Sequence, residues 1–257
     1  MAVERILRII KEQGEGSVRT VCAAFNLPMY SLAEITFLGE YANTMAHAAR
    51  ALDILQGEKD IHLGWLLPTI TSLIFRLQKI RLSLKYCKPL VDALLGGVEK
   101  RFGEVMSDPE LIPAAILHPK FKSSWATDDV LQLGLGYIKE HLPDYDEPLQ
   151  QPNVSSGTSD EDVFFSGMKH TGSKETSITK QLDTYLACTD GRMDSLKTCP
   201  AVAKLSLKLN TALPASAACE RLFSAAGLLF SPRRGRIHSQ NLENQLLLKL
   251  NKAFKLE

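Results

Sequence analysis

The sequence predicts a mostly α-helical protein. Over most of its 257 residues, apolar side chains recur at intervals of three and four, a spacing that places them on one face of a helix. No run of alternating β-branched residues between turn residues predicts a strand. Apolar residues make up 45% and charged residues 23% of the chain, the proportions of an ordinary globular protein with a sizeable core.

The first 142 residues predict a succession of helices and form the first predicted domain. Residues 38–55 carry an apolar stripe at helical spacing, and Gly57 follows as a C-terminal stop. Pro68 and Pro89 each begin a further helix, because the first turn does not use the backbone donor that proline lacks.

A short apolar patch and a fourth helix complete this domain. The patch covers residues 110–122, and Thr127 is a candidate N-cap for a helix with acids in its first turn. Trp65 and Trp125 are predicted core residues. The histidines here have no acid or cysteine partner at metal-ligand spacing and are expected to be structural: His47, His62 and His118. The chain has no CxxC or HExxH motif, so we predict no metal site.

Residues 142–162 differ in composition from the helical segments. They contain six acids, three prolines and several serines, but no lysine or arginine. Such a composition favours a disordered segment, because it offers little apolar surface to bury. The sequence therefore predicts a disordered acidic linker over residues 143–178, between a helical domain of residues 1–142 and a second helical region of residues 179–257.

The region 179–257 predicts four helices. The first covers residues 179–188, the second begins at Pro200, and the third runs from Pro214 to Gly227. The last helix, residues 241–254, has an apolar face so wide that it must be covered by its own domain, by a second copy, or by both. The candidate dimerisation residues lie on this face: Leu242, Leu246, Leu247, Leu250 and Phe254.

Charge is distributed unevenly along the chain. Residues 201–257 contain nine lysines and arginines against three acids, a net charge of +6, so the net charge of +1 for the whole chain leaves −5 for residues 1–200. A basic segment is suited to an anionic partner such as nucleic acid, although it also serves solubility. The candidate nucleic-acid contacts lie on a glycine-containing loop, which could instead be solvated or form helix-end salt bridges: Arg233, Arg234, Arg236 and His238.

The stretch "LPASAACERLFSAAGLLFSPRRGRIHSQNLENQLLLKLN" resembles the C-terminal segment of the hAT superfamily of transposases, named for hobo, Activator and Tam. The chain matches the family pattern at Pro214, Ala218, Glu220, Arg221, Phe223, Ser224, Gly227, Arg234, Arg236, Leu246 and Asn251. It departs at Cys219, where the family usually has serine. The blocks "LGEYANTMAHAARALDILQGEKDIHLGWLLPTITSL" and "AAILHPKFK" resemble the helical insertion domain of the same family.

This resemblance implies an incomplete RNase H-like fold, because the family's catalytic domain is interrupted by the helical insertion. It places Glu220 at the third catalytic acid, and it implies that the strands that carry the two catalytic aspartates are missing from the chain. Two-metal phosphoryl transfer needs clustered carboxylates, and the acids Asp53, Asp60 and Asp92 lie in helical patterns or near a helix end. We therefore interpret Glu220 as vestigial and expect no enzyme activity and no cofactor, with Mg²⁺ bound only by an intact homologue.

The sequence and the resemblance together predict a transposase-derived, catalytically inactive protein. We expect it to act in the nucleus by forming a homodimer or by binding another hAT-derived protein. One alternative is weak DNA binding without sequence specificity through residues 233–236, and another is a truncated gene model of an active transposase. No apolar run approaches the roughly 18 residues of a membrane span. The five scattered cysteines predict reduced thiols inside the cell.

Overall fold

The structure is a computed structural model that describes residues 2–57, 60–145, 174–230 and 237–250. Across these ranges the chain forms α-helices and short 3-10 helices and no strand, which confirms the predicted mostly α fold. The α-helices are α1 (Ala2–Ala24), α2 (Leu32–Leu55), α3 (Leu66–Arg81), α4 (Lys88–Phe102), α5 (Leu111–Ile116), α6 (Asp128–His141), α7 (Lys174–Ala187), α8 (Pro200–Asn210), α9 (Ala217–Leu229) and α10 (Ser239–Leu250). Short 3-10 helices within the same ranges are Leu63–Trp65, Val105–Ser107, Leu142–Tyr145 and Met193–Thr198.

Two helix starts illustrate how the sequence sets these bounds. Ser31 precedes α2 and forms a capping box with Glu34, in which each side chain accepts the backbone N–H of the other residue. The hydrogen bonds from the backbone N–H and then the hydroxyl of Ser31 lower the pKa of Glu34. Thr127 occupies the predicted N-cap position of α6, but its side chain makes no capping hydrogen bond.

The last two helices begin at positions that differ from the predicted ones. Helix α9 begins at Ala217 rather than at Pro214, because proline fits a turn as well as a first helical turn, and residues 211–216 form bends and a turn. Helix α10 covers Ser239–Leu250 where the sequence predicts residues 241–254.

Helices α1 to α4 pack against one another in chain order, and α2, α3 and α4 enclose a small apolar cluster. Leu77 of α3 and Val91 of α4 are completely buried in it. Glu40 of α2 accepts three backbone N–H groups just before α4, at 2.7, 2.7 and 2.8 Å, from Lys85, Tyr86 and Cys87. Partial burial acts to raise the pKa of Glu40, but these hydrogen bonds outweigh it and lower the pKa. An ionised carboxylate thus satisfies donors at the positive end of α4.

The main core combines residues from both sides of residues 146–173. Leu67 of α3 and the helix α5 lie in one buried cluster with Leu182 of α7 and Val202 of α8. Helical residues also occupy both ends of the predicted linker, since Leu142–Tyr145 is a 3-10 helix and α7 begins at Lys174. The rest of that predicted linker lies outside the described residues, and the division into domains at residues 143–178 stays a prediction.

The carboxyl end of α5 is completely buried in this core, since residues 114–117 have no exposed surface. The last carbonyl groups of a helix have no partner within the helix. In a helix as short as α5, these are most of its carbonyl groups. Side chains from α7 and α8 satisfy them. The amide of Asn210 donates to the carbonyl of Ala114 at 3.0 Å, and the hydroxyl of Tyr185 donates to that of Ile116 at 3.1 Å. The hydroxyl of Ser206 donates to Leu117 at 2.9 Å.

Asn210 also fixes the approach of the 3-10 helix that precedes α3. Its side-chain oxygen accepts the backbone N–H of Gly64 at 2.7 Å. A Cβ at Gly64 would lie 2.5 Å from the carbonyl oxygen of Ala114 and 2.6 Å from the Asn210 oxygen. Only glycine therefore allows the backbone to come this close.

Two further features of the described residues concern the cysteines and the length of the helices. The five cysteines are free thiols, with Cys22, Cys87 and Cys199 buried and Cys219 exposed. Among the helices that the structure describes, none has both the length and the apolar character required to cross a bilayer.

Replacing Asn210 by alanine is expected to reduce the free energy of unfolding by about 2–5 kcal/mol, because two buried backbone groups, the N–H of Gly64 and the carbonyl of Ala114, lose their partners. The measurement is urea unfolding at neutral pH. Thr211→Ala is the matched control, because it removes an exposed hydroxyl next in the chain and is expected to stay within about 0.5 kcal/mol of wild type. An equal effect of the two substitutions would contradict this assignment.

Candidate functional site

The C-terminal helix pair, α9 and α10, packs mainly on itself. Among the described elements, α9 and α10 are each other's principal neighbours, and no residue of α9 is buried. Amphipathic helices normally bury their apolar face against the rest of a domain. The helix pair does this only in part, so it keeps apolar side chains in contact with solvent.

The most exposed apolar side chains of the pair are large. Phe223 and Leu228 of α9 are 73% and 75% exposed, and Leu248 of α10 is 64% exposed. Leu222 and Phe230 are also exposed. Several large exposed apolar side chains on one helix pair are a feature of protein–protein contact surfaces.

The predicted dimerisation residues divide between the inner and outer faces of α10. Leu242 and Leu246 are half-buried, whereas Leu247 is 52% exposed. Leu250 is the last residue of α10, and Phe254 lies outside the described residues. Phe223 and Leu228 are not distinguished by the sequence pattern, because an apolar pattern alone does not tell which face of a helix is covered.

Glu220 and Arg221 bind different parts of the chain. Glu220 is exposed and accepts the hydroxyl of Ser216 at 2.9 Å. Arg221 donates from its guanidinium to the carbonyl of Gln56 at 2.6 Å, at the carboxyl end of α2, where a cation is favourable. This bond attaches α9 to α2.

The other acids considered in the sequence analysis do not gather around Glu220. Asp92 forms a bidentate ion pair with Arg81 at 2.5 and 3.1 Å, and the hydrogen bonds from Arg81 lower the pKa of Asp92. Among the residues that the structure describes, no three His, Cys, Asp or Glu side chains come together as a metal site. The prediction that the chain has no catalytic or metal site stays a prediction.

The predicted nucleic-acid loop is described only at its end. Arg233, Arg234 and Arg236 lie outside the described residues, whereas His238 is exposed immediately before α10. The contacts of this loop therefore stay a prediction.

A second candidate site is a basic pocket between α2 and α3 with a volume of about 440 Å³. Its basic lining residues are the histidine His47 and three cations: Arg50 of α2, Arg76 of α3, and Lys120 from the turn that follows α5. Its apolar lining includes Ile54, Leu73, Trp65 and Phe121. A more open continuation of the pocket reaches Asp53 and Arg221.

Trp65 is held in this pocket by its neighbours. Its indole N–H donates to Nε2 of His118 at 3.1 Å, and Phe121 packs edge-on against its ring with centroids 4.9 Å apart. The ammonium group of Lys120 lies 4.1 Å from the centre of the Trp65 ring, a favourable cation–π distance. Trp65 is therefore a half-buried pocket wall, and the prediction that it is a core residue is only partly right.

His118 is the buried support of the Trp65 side chain. Burial, followed by the charges of His62 and Lys120, lowers the pKa of His118 to about 4. The ring is therefore neutral at pH 7, and its bare nitrogen, Nε2, accepts the indole N–H of Trp65 at 3.1 Å, which is shorter than the 3.3 Å between Nδ1 and the backbone N of Lys120. A protonated ring could accept from neither. The expectation that His118 is structural agrees with this geometry.

The sequence carries a local signal for each side of the basic pocket, but none for the pocket itself. On α3, the polar residues Thr69, Ser72 and Arg76 recur at intervals of three and four, and on α2 His47 and Arg50 have the same spacing. Each set therefore lies on one face of its helix. No spacing within one helix indicates that two helices face each other.

Neither a comparison with protein-family models nor one with curated proteins found a match to this chain. The resemblance to hAT transposases thus depends on the quoted sequence motifs alone and stays a prediction.

The neutral state of His118 predicts a specific dependence of stability on pH. Its folded-state pKa of about 4 lies below the ordinary value of 6.5, so between these values the unfolded chain binds a proton that the folded chain does not. The contribution of His118 to stability is therefore fully present above about pH 6.5 and is lost as the pH falls towards 4. We expect the free energy of unfolding of wild type, relative to His118→Gln, to decrease over this range.

Urea unfolding of both proteins at several pH values tests this dependence. Glutamine retains an acceptor for Trp65 but cannot bind a proton. His238→Gln, which replaces an exposed histidine, is the control and is expected to follow wild type at every pH. A difference between wild type and His118→Gln that does not change with pH would be inconsistent with a buried, neutral His118.

Proposed function

We propose that this chain is a transposase-derived, catalytically inactive protein that acts in the nucleus by association with a second protein chain. The partner is in the first place another copy of itself, or else another protein derived from a hAT transposase. The observation that carries the proposal is the exposed apolar surface of the C-terminal helix pair, above all Phe223 and Leu228. The resemblance to the hAT C-terminal segment, which is linked to dimerisation in that family, supports the same choice.

The size of the exposed side chains makes association energetically reasonable. Full desolvation of a large apolar side chain contributes about 1.5–3 kcal/mol. The exposed side chains here are already partly covered in the single chain, so association adds only the remaining part. In a two-fold symmetric contact each residue contributes twice. Burial of Phe223, Leu228, Leu247 and Leu248 would then contribute on the order of 10–20 kcal/mol, against a cost of association of about 4–15 kcal/mol.

The charge pattern of α9 favours a contact between identical surfaces. Its charged residues, Glu220 and Arg221, lie in its first part, and no charge occurs from Leu222 to Leu229. Two copies of this apolar face can meet without placing like charges against each other. Arg221 is bonded to Gln56, so α9 is anchored at its beginning while its apolar side chains stay exposed.

We expect the purified protein to be a dimer at micromolar concentration and Phe223→Asp to weaken the dimer at least about tenfold, because a buried unpaired charge is costly. The measurement is gel filtration with light scattering over a concentration series. Phe75→Asp is the matched control, since Phe75 of α3 is a similarly exposed phenylalanine, at 63%, outside the helix pair. A wild type that is monomeric at all concentrations, or equal weakening by both substitutions, would refute self-association through this surface.

We also expect no cleavage or joining of DNA strands with Mg²⁺ or Mn²⁺, since a single carboxylate cannot hold the paired metal ions of this chemistry. The measurement is an assay with labelled duplex DNA. Strand cleavage that is present in wild type and lost in Glu220→Ala would contradict the proposed inactivity.

A further inference from the structure

The basic pocket between α2 and α3 has features that the proposed association does not use. Its cations converge from separate elements, because Arg50 lies on one face of α2, Arg76 lies on the facing side of α3, and Lys120 follows α5. None of these residues belongs to the C-terminal helix pair. The proposed association therefore does not explain the pocket.

The cations of the pocket are not neutralised by acids in the described part of the chain. No ion pair there includes His47, Arg50, Arg76 or Lys120, and the pocket lining contains no carboxylate. Asp53, the acid of the more open continuation, is an exposed residue that is not among the side chains lining the pocket. Positive charges around one concave site make its electrostatic potential more positive and favour the binding of an anion there.

The other lining residues favour a ligand that combines an anionic group with an apolar part. Hydroxyl groups are provided by Thr69 and Ser72, and an apolar wall by Ile54 and Leu73. The volume of about 440 Å³ lies in the range of about 300–1,000 Å³ that is typical of small-molecule sites. Trp65 is fixed by its hydrogen bond to His118, so one wall of the pocket is held in place before any ligand binds.

We propose that this pocket binds a small organic phosphate. The phosphate groups contact Arg50, Arg76 and Lys120, and the organic part lies against the apolar wall that includes Trp65. Guanidinium groups form paired hydrogen bonds with phosphate oxygens, and Lys120 adds a third positive charge that its contact with Trp65 already positions. A nucleotide has this combination of charge and ring.

The test is titration of the full chain with ATP, pyrophosphate and adenosine in separate experiments. Calorimetry gives the affinity, and in a Trp125→Phe background Trp65 is the only tryptophan left, so its fluorescence reports on the pocket. Arg50→Gln and Arg76→Gln each remove one cation from an exposed position, so folding is expected to be retained. Lys79→Gln is the control, because it removes one exposed charge from α3 outside the pocket.

We expect saturable binding of ATP, a loss of about tenfold or more in affinity in each arginine variant, and no change in Lys79→Gln. Pyrophosphate that binds more weakly than ATP would assign a share of the affinity to the organic part and supports the proposal, whereas pyrophosphate that binds as tightly as ATP would overturn it, because the apolar wall would then contribute nothing. The proposal is also overturned if ATP does not bind saturably, if adenosine binds as tightly as ATP, or if all three variants lose affinity equally. Binding of a single-stranded oligonucleotide without binding of ATP would also overturn it.

Discussion

The fold depends on the hydrogen bonds that the backbone carbonyl groups at the buried carboxyl end of α5 accept from other parts of the chain. This helix ends within the main buried core, where water cannot reach the carbonyl groups that a helix end leaves unpaired. Partners come from residues far along the chain: Tyr185, Ser206 and Asn210. Lys122 adds a related contact, since its ammonium group donates to the carbonyls of Tyr185 and Cys188 at the carboxyl end of α7. The parts of the chain before and after residues 146–173 therefore satisfy each other's helix ends.

This arrangement also explains where the exposed surfaces lie. Helices α7 and α8 contribute their apolar residues to the core around α5, whereas α9 is attached chiefly through α10 and the bond from Arg221 to Gln56. The apolar residues of α9 consequently lie outside the core and are available to another chain. The same core fixes His118 directly after α5, and His118 in turn positions Trp65 at the wall of the basic pocket. The core around α5 thus positions one wall of the basic pocket, whereas the C-terminal helix pair lies outside that core.

The sequence predicts the helices well and their contacts poorly, for physical reasons. Periodicity identifies the helix that Pro200 begins because its apolar residues follow a local rule. Ser31 and Glu34 carry an equally local capping signal that could have been recognised. Asn210 gives no such signal, because its partners Gly64 and Ala114 are distant in the chain. The basic pocket and the exposed side of α9 could not be predicted for the same reason, since both depend on which helix faces meet.

The most direct test of this account is whether the two parts of the chain remain together without a covalent connection. A specific protease site inserted within residues 146–173 allows the folded protein to be cut and then passed through a gel-filtration column under native conditions. If α7 and α8 satisfy the end of α5, the two pieces elute together and separate only in denaturant. Separation of the pieces in native buffer, with each retaining its helical circular dichroism, would contradict the account.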